Sequence, residues 1–258
     1  MRRAGKHNKR RTTALRVAGL PTPIEVRRHA AARRMTLRVN HARHAVVVTV
    51  PVRCGIEEAN SFVHRNIEWV RERLGRIPEP VLFEDKSVVP LRGTPHLVRF
   101  IGSDRPRGLV GVVRVIRPDD RPTLEVGGEP EHAGRRLRDF LIAEARKDID
   151  RCVEAHAANL KLRVKRISVR DQVSRWGSCS SAGVLSFSWR LILAPPFVLD
   201  YVAAHEVAHL AEMNHGPRFW ALVARAMPRM TEAKQWLRVH GSDLHRYGGK
   251  PSPLVPAD

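Results

Sequence analysis

Cysteine is scarce in this chain of 258 residues: Cys54, Cys152 and Cys179 stand alone, with no CxxC and no paired spacing. That argues against a disulfide framework and for a reducing cytoplasm. No apolar run approaches the roughly 20 residues that a membrane span needs, so no membrane association is expected. The basic start MRRAGKHNKRRTT lacks an apolar segment after it, because Ala14–Leu20 is short and is broken by Arg16. Neither a secretory signal nor, despite Arg2-Arg3, a twin-arginine signal is therefore expected. There is no internal repeat, no Gly-rich phosphate loop and no recognisable nucleic-acid module. Acidic residues are nearly missing before Pro51, where Glu25 is the only one.

What is present is positive charge and enough apolar residues for a core. The formal net charge is +20 and 43% of residues are hydrophobic. Such a chain is globular, and its charge attracts polyanions without choosing among them. Non-specific nucleic acid is the partner that the basic N-terminal segment would draw, and a simply well-solvated surface is the plain alternative.

Periodicity gives a coarse α+β organisation. Residues 1–23 read as a basic, disordered tail. Residues 24–130 read as a mostly β unit with one helix, Glu57–Leu74, where Ala59, Phe62, Val63, Ile67, Val70 and Leu74 recur at helical spacing. Strands are expected from Ile24 to about Pro51 and at Ser87–Leu91, His96–Ile101, Leu109–Ile116 and Thr123–Val126. A second unit, 131–245, begins with an amphipathic helix near Ala133–Asn159. Strands then follow at Arg166–Val173 and Val184–Leu193, joined by Arg175-Trp176-Gly177-Ser178-Cys179-Ser180-Ser181. Residues 246–258 form a C-terminal tail.

The chemistry concentrates in His205-Glu206-Val207-Ala208-His209. Residues i and i+4 share a helix face, so the two imidazoles can address one ion. Glu206 projects nearby and can take a proton from water held there. A catalytic zinc site commonly has three protein ligands. His215 can be the third if the helix stops and the chain turns back, which Asn214 and Gly216-Pro217 favour. Glu212 and Glu232 are alternative third ligands, Cys179 a possible fourth, and Met227 or Met230 a possible floor. Arg175, Trp176 and Arg190 are candidates for substrate binding, the arginines by polarising a carbonyl or pairing with an anion.

These segments resemble the YgjP-like metallopeptidase family, a relative of the SprT-like zinc proteases. The likeness rests on the Arg175–Ser181 segment, on Ser188–Pro196, on His205–His209 with Met213-Asn214-His215 and Phe219-Trp220, and on Arg33–Val39. It implies a minimal zincin core: a small antiparallel sheet, a backing helix and the HExxH helix. It also implies zinc on His205, His209 and His215, with Glu206 as the catalytic carboxylate. The metzincin spacing is matched too, but Glu212 stands where metzincins have Gly.

The first expectation is thus a zinc metallopeptidase that cleaves peptide or protein substrates with a water activated by Glu206. An edge strand near Val184–Trp189 would align the peptide. The alternatives are a zinc-dependent hydrolase of nucleotides or other phosphorylated small molecules, and a nucleic-acid-binding protein with a structural metal.

Overall fold

A computed structural model of the chain describes residues 12–20, 23–40, 45–75, 79–102, 113–117 and 121–248. By its contacts the chain divides into two units, one up to Glu79 and one from Pro80 to Lys250. Both mix helices with small sheets. No described helix is long and apolar enough to cross a membrane.

The first unit is a four-stranded sheet with two helices. Strands β1 (Thr12–Leu15), β2 (Ile24–Arg28), β3 (Thr36–Asn40) and β4 (Ala45–Val50) stand in the order β1-β2-β4-β3. Alternation sets the faces: Ile24, Val26, Val46, Val48 and Val50 point inward with no exposure. β1 pairs antiparallel with β2, so Thr12–Leu15 is ordered structure within the stretch read as a disordered tail. Met1–Arg11 lie outside the described residues. The expected single helix is two, α1 (Ile56–Arg65) and α2 (Ile67–Gly75). Asn66 separates them; its side-chain amide donates to the Phe62 carbonyl, the local bonding that makes Asn a poor helix-interior residue.

In the second unit, β5 (Val88–Leu91), β6 (Thr94–Gly102), β7 (Val113–Ile116) and β8 (Thr123–Gly127) form a sheet ordered β5-β6-β8-β7. Periodicity groups this sheet with the residues before it. The structure instead packs Val89, Leu91, Val98, Leu124 and Val126 into one core with the helices that follow, so the division falls near residue 80 rather than 130. Residues 109–112 of an expected strand lie outside the described residues.

Helix α3 (Ala133–Leu160) fulfils the expected amphipathic helix. Leu137, Leu141, Ala145, Ile149, Val153 and Leu160 line its buried face, and Lys161 ends it in the left-handed conformation with φ 56°. A second sheet, ordered β10-β11-β9, contains β9 (Arg166–Arg170), β10 (Gly177–Cys179) and β11 (Val184–Ser188). It is mixed rather than antiparallel: β11 pairs antiparallel with β10 and parallel with β9. The expected strand Val184–Leu193 stops at Ser188, and Trp189–Leu193 winds into a 3-10 turn whose five residues are all buried.

Helix α4 (Pro196–Ala208) starts with proline in its first turn and is buried on nearly every side, from Val198 to Ala208. A helix apolar all round belongs in a core. Here α4 is packed against α3, α5 (Pro217–Ala226) and α6 (Met230–His240). Its C-terminal end carries the only polar groups of its last turn, His205 and Glu206.

Candidate metal centre

Three imidazoles meet at the end of α4. His205 lies in its last turn and His209 is the residue that closes it. The chain then leaves the helix: Leu210 N–H donates to Val207, and Ala211 and Glu212 N–H donate to Ala208. A tight turn in which Gly216 N–H donates to Asn214 O leads into α5, whose first residue is Pro217. This reversal returns His215 to the helix end, with its Nε2 3.1 Å from Nε2 of His205. One nitrogen from each of the three rings lies within 4.8 Å of the others. Among the described residues this is the only such group of histidine, cysteine or acidic side chains.

Aromatic neighbours fix the rings. Phe219, fully buried on α5, stacks on His209 at 4.4 Å and meets His205 and His215 edge-on at 4.8 and 4.7 Å. Trp220 stacks on His215 at 5.6 Å. The Nδ1 of His209 lies 3.0 Å from the Glu212 carbonyl. A carbonyl only accepts, so Nδ1 carries the proton and Nε2 keeps its lone pair. Burial pushes His205 down to about 4, helped by His209, His215 and Lys234, so its ring is neutral at pH 7. Burial also lowers His209. Neutral imidazoles with free lone pairs are the form that ligates a metal, and the donor set fits one.

Glu206 sits beside this group and outside it. It is 5% exposed, and burial pushes its carboxyl up to about 7 against the opposing charge of Arg175. Its Oε2 is buried without a hydrogen-bond partner among the described residues. The carboxylate lies against β10, where a Cβ on Gly177 would stand 2.5 Å from Cγ and Oε1 of Glu206. Any side chain there would force Glu206 to shift. Sequence reasoning passed over Gly177 and Phe219 as site residues; their sole signal was membership of the motif segments.

β10 is one edge of its sheet and β9 the other, and β11, the segment expected to be an edge, is its centre. Ser188 N–H donates to Trp176 O and Ser180 N–H to Val184 O. By antiparallel alternation the main-chain groups of Gly177 and Cys179 therefore face the open side.

The other expected residues have different fates. Arg175 is exposed and close enough for its charge to act on Glu206. Trp176 stacks on His245 with 4.9 Å between ring centroids. Arg190 is not available to a substrate. It is 5% exposed, donates from Nε to Asp171 at 2.8 Å, and donates from Nη1 to the carbonyls of Leu244 and Tyr247 at 3.1 and 2.6 Å. Glu232 is bound by Arg229 at 2.8 Å from both carboxylate oxygens. Met227 is core packing, and the Cys179 thiol is directed to the Ser180 carbonyl and lies outside the histidine group.

A search of curated proteins returns no match. Among solved structures, the crystal structure of the metallopeptidase zymogen of Pyrococcus abyssi abylysin is similar over 36% of this chain and 92% of that one. The identity is 19% and the TM-score 0.33, a likeness too slight to carry an argument. A family model described as YgjP-like, metallopeptidase domain, matches residues 33–240, about four fifths of the chain and every residue of the histidine site. On that match the chain belongs to the YgjP-like metallopeptidase family, whose activity implies a metal ion.

Proposed function

We propose that the protein is a zinc-dependent metallopeptidase in which His205, His209 and His215 hold the metal and Glu206 is the catalytic carboxylate. The observation that carries this reading is the meeting of three imidazole nitrogens within 4.8 Å beside a buried carboxylate that belongs to none of them. Three nitrogen donors suit zinc, and three protein ligands are the usual number for a catalytic zinc site. When bound, zinc supplies a Lewis acid that polarises a carbonyl and makes water more acidic.

Glu206 takes a proton from the attacking water and passes it to the leaving amine. A carboxyl raised to about 7 by burial is suited to both halves of that transfer near neutral pH. Gly177 lets the carboxylate stand against β10, and the outward main-chain groups of Gly177 and Cys179 pair with an extended peptide, which aligns the scissile bond beside Glu206. Trp176 frames the start of that strand. Three free cysteines suit a cytoplasmic location.

The test is a comparison of two variants in zinc-loaded protein, with casein and a peptide panel as substrates and a nucleotide panel beside them. Glu206→Gln is expected to keep zinc and melting temperature and to lose hydrolysis by about 100-fold or more. His215→Ala is expected to lose zinc in elemental analysis and activity with it. Full activity in Glu206→Gln, or full zinc in His215→Ala, would overturn the assignment.

A further inference from the structure

Two exposed cations, Lys234 and Arg175, stand beside the site. Several arginines of the second unit are neutralised in place, Arg92 by Glu144 and Asp148, Arg114 by Glu125, Arg146 by Asp150, Arg190 by Asp171 and Arg229 by Glu232, while others, Arg166 among them, have no ion pair among the described residues. Lys234 on α6 is exposed and has no acidic partner among the described residues. Its Nζ sits 4.2 Å from the ring centroid of Trp220, the same indole that stacks on His215 and stands 5.8 Å from His205. The indole face thus holds an ammonium beside the histidines, and the charge is felt at His205. Arg175 is likewise exposed and unpaired among the described residues, two residues before Gly177 at the head of the open strand edge. Arg218 is exposed in the first turn of α5. The acids nearby are Glu206, which is buried, Glu212 on the turn, and Glu232, which Arg229 occupies.

We propose that this site selects peptides with Asp or Glu side chains near the scissile bond, with Arg175 and Lys234 as the specificity-determining residues. The inference rests on the peptidase reading and deepens it. A peptide laid along β10 passes Arg175 as it enters. Its carboxylates meet two cations that are in no ion pair among the described residues, and a Lys or Arg side chain there meets repulsion. Each carboxylate so placed is expected to raise affinity about 2- to 5-fold.

The experiment measures binding rather than turnover. Zinc-loaded Glu206→Gln is titrated calorimetrically, at about physiological salt, with a nonapeptide carrying two central Glu and with its Gln analogue. The Glu peptide is expected to bind more tightly by about 5-fold or more. The preference is expected to vanish in an added Arg175→Ala/Lys234→Ala pair and to persist with Arg166→Ala, an exposed arginine on β9 that controls for the general positive charge. Equal affinity for the two peptides, no binding of either, or a preference unchanged in the double variant overturns the proposal. Failure of the parent reading shows separately, as absence of casein and peptide hydrolysis by the zinc-loaded wild type.

Discussion

At Gly177 a hydrogen atom occupies the space in which any other residue would meet the Glu206 side chain. A methyl group there stands 2.5 Å from Cγ, so the stem of the side chain has to move along with the carboxylate at its end. Gly177→Ala is expected to lower peptide hydrolysis by about 100-fold, the scale set by misplacing a reacting group by an ångström, with zinc content unchanged. Steady-state kinetics with parallel elemental analysis checks this; unchanged activity would mean that the carboxylate position is not critical. The two kinds of site residue differ in how legible they are. His205, His209 and His215 fall within one short stretch, so spacing and a turn signal were enough to group them. Gly177 meets Glu206 across 29 positions of sequence, and a missing side chain leaves no pattern.

Among the elements, the 3-10 turn Trp189–Leu193 shows what an apolar run conceals. Five consecutive buried residues carry neither a period of 2 nor one of 3.6, so they read as a continuing strand. The exception within the run, Arg190, read as a substrate contact because a guanidinium can polarise a carbonyl or pair with an anion. Its guanidinium instead joins Asp171 to the carbonyls of Leu244 and Tyr247, tying down the 3-10 segment Gly241–Arg246. Arg190→Met removes the donor to the carbonyls of Leu244, His245 and Tyr247 and leaves Asp171 with Arg138 alone. It is expected to cost about 3 kcal/mol in denaturant unfolding and to raise protease sensitivity after Gly241. Loss of activity without loss of stability would return Arg190 to the site. By contrast α3 was legible almost to the residue, since twenty-eight residues with a regular buried stripe leave little room for another reading.

For the whole molecule, two responses to solution conditions follow. His245 stacks on the Trp176 ring, and burial with the Arg190 charge, against that of Asp171, pushes it from 6.5 down to about 4. The unfolded chain therefore binds a proton that the folded chain refuses between those values. This contribution to stability is complete above about pH 6.5 and is lost as pH falls toward 4. Metal-free protein is expected to melt at a lower temperature at pH 5 than at pH 7.5, and His245→Phe, which keeps the ring stack, is expected to lessen that difference. An equal drop in wild type and variant would exclude His245 as the source. The net charge of +20 predicts the second response: weak binding to duplex DNA that falls steeply between about 50 and 200 mM salt and weakens when Met1–Thr13 is removed. Salt-insensitive binding would discard the electrostatic account. Charge of this kind was plain in composition. The division near residue 80 was not, because the β5–β8 sheet looks like its neighbours in sequence and belongs elsewhere by packing.

The three histidines span only eleven positions along the backbone, all at the end of one helix. A metal there would close a small ring of chain and stitch nothing distant together, and small rings remove little entropy from an unfolded polymer. An extended chain would also retain part of the chelate, which reduces the folding energy that the ion contributes. Chelation should therefore silence the enzyme while leaving it folded, and activity should return on re-addition of zinc without any refolding step.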